Sequence, residues 1–133
     1  MPLASATGVY DPKDYDFVRA YLVLAHAEVE QFLEELAVDV LVAAQKRWDA
    51  TRAAGRCLSA LLMYDDKQTT APPSLAKQKT DDTLSMVASR AIRKHEEFIV
   101  QKNHGVKEGN LLRMLLPIGV LETDLDPIWL VSR

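Results

Sequence analysis

The chain holds three histidines, and the polar side chains spaced around them are the groups that could do chemistry. His26 and Glu30 stand four residues apart, the spacing that makes two side chains neighbours on a helix. Such a pair can be a base with its orienting carboxylate, or a hydrogen-bonded pair bordering the core, the commoner arrangement. No nucleophile accompanies it. Arg90 and His95 form a second pair, an Arg, four residues, then a His. Five helical steps turn about 140° around the axis, so Arg90 is expected in solvent and His95 in the core. The third group is a polar corner carrying Asn103, His104, Lys107 and Asn110 around Gly105. Lys107 and His104 could meet a phosphate there beside the free N–H groups of a helix start. Asn103 could instead cap the backbone of two helix ends, with Gly105 at positive φ. Architecture is the commoner use of such residues.

The elements that must position these groups are all helical by pattern. Asp11-Pro12 reads as an N-cap with proline in the first turn, and Asp14 and Asp16 suit the positive end of a helix dipole. Val18, Leu22, Ala25, Val29, Leu33, Leu36, Val40 and Ala43 then recur at spacings of three and four, predicting one buried face of a helix over 14–45. Gln31, Glu34, Glu35 and Asp39 are expected on its solvent side. Further helix over 45–64 would bury Trp48, Ala53, Cys57, Leu58, Leu61 and Leu62, with Gly55 as a junction. Residues 65–74, with Pro72-Pro73, read as a loop. A third helix over 81–102 places Leu84, Val87, Ala88, Ala91, Ile92, His95, Phe98 and Ile99 on one face. After the corner, Leu111, Leu112, Met114, Leu115 and Leu116 form a short helix stopped by Pro117 and Gly119. Asp126-Pro127 would open a last helix that has only six residues left to run, as if truncated. The expected fold is therefore an all-α bundle of four or five helices in one domain, 1–133, with 14–45 and 81–102 as a long antiparallel pair. Residues 1–10 are expected to form an arm.

Taken with the first helix, Arg19 to Glu34, the run Asn103-His104-Gly105-Val106-Lys107, then Asn110-Leu111 and Leu115-Leu116-Pro117-Ile118-Gly119-Val120, resembles the RiboL-PSP branch of the HEPN superfamily. These are small helical domains, many of them RNases. The resemblance implies descent from a metal-independent endoribonuclease of RNA metabolism or defence, acting as a homodimer. In that chemistry a His moves protons at the 2′-hydroxyl and phosphate while an Arg stabilises developing negative charge. The family's Arg and His stand near the start of a last helix after a Leu-Asp-rich stretch. That stretch is here Leu125-Asp126, and the motif would lie beyond Arg133. Arg90 and His95 do not replace it, because Ala91 follows the arginine and the pair sits in mid-helix. The resemblance thus leaves two readings open. One is an RNase relative with RNA contacts at Asn103, His104 and Lys107. The other is a non-catalytic module binding RNA or a protein partner, antitoxin-like or structural.

Composition narrows the classes further. Net charge is −3 over 133 residues, and only residues 65–113 lean basic, with 9 Lys/Arg against 7 Asp/Glu. Any RNA contact should then be local and salt-sensitive. A single cysteine, Cys57, excludes an internal disulfide and a cysteine zinc cluster. No zinc spacing, phosphate-binding glycine loop or nucleotide fingerprint is present, so no metal or cofactor is expected. No apolar run approaches the roughly 20 residues of a membrane helix, and a soluble, cytoplasmic protein without a membrane partner is the expectation.

Overall fold

The computed structural model describes residues 11–65, 74 and 83–125. Among them are four α-helices, α1 (Pro12–Thr51), α2 (Arg56–Met63), α3 (Leu84–Lys102) and α4 (Glu108–Leu115), and two short 3₁₀ turns at Leu116–Ile118 and Glu122–Asp124. No strand occurs among the described residues, so the fold is all-α. The expected arm at 1–10, most of the loop at 65–74 and the last helix from Asp126 fall outside the described residues.

α1 begins where the sequence predicts. The Asp11 side chain accepts from Lys13 N at 3.1 Å, and Asp14 returns a carboxylate to the Asp11 N–H at 3.2 Å, a reciprocal cap of the first turn. Beyond Pro12 the next 39 residues of the 40-residue helix contain neither glycine nor proline, so nothing interrupts it, and it runs past the expected end at 45 to Thr51. It stops at Arg52, which turns left-handed at φ 55° and closes on Trp48 O at 2.8 Å. Gly55 is the expected junction and caps α2. α3 starts later than predicted, at Leu84, because Thr83 supplies the cap, its hydroxyl accepting from Met86 N at 3.3 Å.

α1 and α3 run antiparallel. Arg52, at the end of α1, bonds Ser85 at the start of α3 at 3.1 Å, while Glu30, early in α1, reaches Gly105 just past the end of α3. Their lengths do not match, however: at 1.5 Å per residue α1 is about 60 Å long and α3 about 28 Å. The core therefore gathers on the second half of α1. Ala37, Leu41 and Trp48 bury there against Leu58 and Leu61 of α2, Ala88, Ala91, Ile92 and Ile99 of α3, and Leu111, Met114 and Ile118 beyond.

This corrects the predicted stripe on α1. Leu33 and Val40 pack against the core, but Val18, Leu22 and Val29 are exposed because no described helix reaches along them, and Leu36 and Ala43 because they lie on a face of α1 turned from the core residues Ala37 and Leu41. Ala53, Leu62 and Leu84 were also expected inside and lie outside. Ala53 sits in the break between α1 and α2 and Leu84 in the opening turn of α3, where neighbours are few. Gly119 closes the chain against α2 at φ +92°, and a Cβ on it would stand 3.2 Å from the Arg56 carbonyl oxygen.

Candidate functional site

The polar corner and the first helix meet. α3 ends at Asn103, whose N–H bonds Phe98 O at 3.0 Å and which is buried. Gly105 follows at φ +93°, the left-handed geometry expected from its position. Lys107 then caps α4, its carbonyl accepting from Asn110 N at 2.9 Å and Leu111 N at 3.0 Å. The Asn110 amide donates to the His104 carbonyl, and the Gly105 N–H donates to Glu30 Oε1. The corner is thus pinned both to its own backbone and to α1.

That pinning brings together residues the sequence kept apart. Glu30 and Glu34 lie one turn apart on α1, and each offers an oxygen within 4.8 Å of the other and of a ring nitrogen of His104. Glu34 was expected to face water. Instead its Oε1 is closed off from solvent with no hydrogen-bond partner. Burial pushes the Glu34 carboxyl above its ordinary value, the neighbouring Glu30 adds to this, and His104 pulls the other way. Two carboxylates and an imidazole at this spacing are ligand types that a divalent cation accepts. Sequence spacing could not have found the set, because 70 residues separate Glu34 from His104.

The other sequence candidates separate. His26 is exposed, and Glu30 turns to Gly105, so the two do not form the predicted pair. Arg90 is exposed and His95 buried, as the angle between them requires. The Nε2 of His95 donates to Met114 O at 2.9 Å, which fixes the tautomer, and its ring stacks on Phe98 with centroids 5.8 Å apart. Burial lowers the pKa of His95, an effect the Met114 bond opposes. His95 also lines a cleft of ≈ 450 Å³ between α2, α3 and α4, with Leu61, Phe98 and Leu116, and with Lys94 and Arg113 at its edge. Lys94 pairs with Asp65 at 2.9 Å, so one of the two cations already has a carboxylate. Of the residues expected at RNA, His104 and Lys107 are exposed while Asn103 is buried.

The chain shows no significant match to any protein-family model, curated protein or solved structure. No helix among the described residues is long and apolar enough to cross a membrane.

Proposed function

We propose that this chain is a non-catalytic, HEPN-like helical module that works by binding a protein partner. One observation carries the reading. In α1 from Phe17 to Phe32, Phe17, Tyr21, Val23, Leu24 and Phe32 are each at least 60% exposed, and Val18, Leu22 and Val29 about half exposed. Scattered apolar residues on a surface need no explanation, but a contiguous run of this size is the usual mark of an interaction surface.

Two features support a protein over RNA. An incoming phosphate at His104 would approach the carboxylates of Glu30 and Glu34, and the Gly105 N–H that could have bound it already serves Glu30. The first half of α1 carries Asp14, Asp16, Glu28 and Glu30 against Lys13 and Arg19, a poor match to a polyanion. Arg90 and His95 cannot act on one substrate atom, one lying in solvent and the other in the core.

The experiment is to incubate the protein with single-stranded and stem-loop RNA at low salt, with and without Mn²⁺. No cleavage and no mobility shift at tens of micromolar protein are the expected results. Cleavage, or a shift abolished by His104→Ala with Lys107→Ala in a protein that remains folded, would overturn the proposal in favour of an RNA-directed protein.

A further inference from the structure

Where the polar corner meets α1, one oxygen lacks a partner. Glu34 Oε1 is shut off from solvent and accepts no hydrogen bond, and it is the only carboxylate oxygen among the described residues in that condition. A carboxylate held out of water needs a donor or a cation in compensation. Glu30 deepens the deficit, since it brings a second carboxylate oxygen within 4.8 Å of one on Glu34. Neither carboxylate makes an ion pair among the described residues. A doubly charged cation balances the two of them, and a ring nitrogen of His104 lies within the same 4.8 Å.

We infer that Glu30, Glu34 and His104 form a binding site for a divalent transition cation, Zn²⁺ before others, which clips the polar corner to α1. Donor type is the first argument. Mg²⁺ and Ca²⁺ favour six or more oxygen ligands, whereas Zn²⁺ accepts two carboxylates, an imidazole and a water. Support of the ligands is the second. The Gly105 N–H donates to Glu30 Oε1 and orients that carboxylate, and the Asn110 amide donates to the His104 carbonyl, so the backbone that carries the imidazole is held. Glu30 and Glu34 stand one turn apart on α1, so the helix sets their spacing. Reach is the third. Bonds of about 2.0–2.1 Å to a tetrahedral Zn²⁺ place the ligand atoms roughly 3.3 Å from one another. Closing the set from 4.8 Å takes side-chain movement on the order of 1 Å, within what rotamer adjustment supplies. The His104 ring is exposed, which leaves it free to adjust and gives the ion a path from solvent.

The test titrates metal-stripped, tag-free protein with Zn²⁺ by calorimetry at about pH 7.5, where an imidazole ligand is neutral. One site per chain with a Kd on the order of 1 μM is expected, with Mn²⁺ at least ~10-fold weaker and no heat from Mg²⁺ or Ca²⁺. Glu34→Gln and His104→Ala should each weaken Zn²⁺ at least ~100-fold by removing one of three ligands, with circular dichroism showing both variants folded in metal-free buffer. His26 is exposed one turn from Glu30 and is the alternative anchor for a surface ion, so His26→Ala should leave the affinity unchanged. The chain has three histidines, and NMR of ¹⁵N-labelled imidazoles names the ligand directly: Zn²⁺ should shift the ring nitrogens of His104 and leave those of His26 and His95 in place. Saturating Zn²⁺ should also raise Tm by at least ~5 °C, because the ion ties two elements together only in the folded chain, and the rise should vanish in His104→Ala. Absence of a site at about 100 μM Zn²⁺, equal affinity for Ca²⁺, or binding that survives His104→Ala would overturn the inference. The site does not depend on what α1 binds elsewhere, so the Zn²⁺ and RNA experiments stand or fall separately.

Discussion

The two halves of α1 are built from the same residues and meet opposite fates. Leu41 in the second half is 0% exposed, and Leu22 in the first half is 50% exposed, although either side chain would gain roughly 1.5–3 kcal/mol from full burial. Nothing in their own helical turns explains the difference. α3 and α4 extend along α1 only as far as the Glu30–Gly105 contact, and apolar residues before that point have no described helix to pack on. Helix formation and burial are therefore separate outcomes. The caps and the absence of helix breakers secure the first along all of α1, and the reach of the neighbouring helices decides the second.

The largest effect should come from truncation on the two sides of that division. Leu41→Ala is expected to lower the unfolding free energy of the bundle by about 2–5 kcal/mol, the range for a buried leucine. Leu22→Ala, measured by urea unfolding, should change it by less than ~0.5 kcal/mol. Equal losses at both sites would show that the first half of α1 is covered within a single chain.

Next come the glycines, which grade the closeness of packing. Gly119→Ala should cost more than ~2 kcal/mol, because positive φ strain adds to a Cβ pressed against the Arg56 backbone. Gly105→Ala should cost about 1 kcal/mol, since strain acts there but the nearest atom is the end of the Asn110 side chain at 3.4 Å. Thermal melts of the two variants compare the packed bundle with the corner that ties it to α1. A larger loss at Gly105 would place more of the stability in that tie than the geometry allows.

Titration should sharpen the contrast further. Burial holds the pKa of His95 below 6.5 in the folded protein, so the unfolded chain takes up this proton first as the pH falls. Stability from this group is complete above about pH 6.5 and declines below it, until the folded protein binds the proton too. Urea midpoints between pH 7 and pH 5 should fall, and His95→Gln should flatten that slope. Glu34 has the opposite sign, its pKa being raised above 4.5 by burial and by Glu30. Its contribution is present below about pH 4.5 and is lost as the pH rises through the folded value, so Glu34→Gln should stabilise the protein at pH 7 and give no gain at pH 4.

The smallest expected effect is a gain. Gly109 lies in α4 with no atom within 4 Å of where a Cβ would stand, and Gly109→Ala should add about 0.5–1 kcal/mol by helix propensity alone. A loss, read from the urea midpoint, would mean that the face of α4 around Gly109 packs against something in solution.

What the sequence determined by itself is local: that α1 starts at Asp11-Pro12, that Gly55 divides it from α2, that Gly105 turns left-handed, and that His95 points inward while Arg90 points out. Each follows from caps, glycine freedom or the turn angle of a helix, which act over a few residues. Only the tertiary structure decided which apolar stripe of α1 became core, because a helix with apolar residues on two faces does not specify which face its neighbours will take. The same holds for the meeting of Glu30 and Glu34 with His104. Two polar groups some 70 residues apart carry no periodicity in common, and their approach is fixed by the length of α3 and the angle of the corner that ends it.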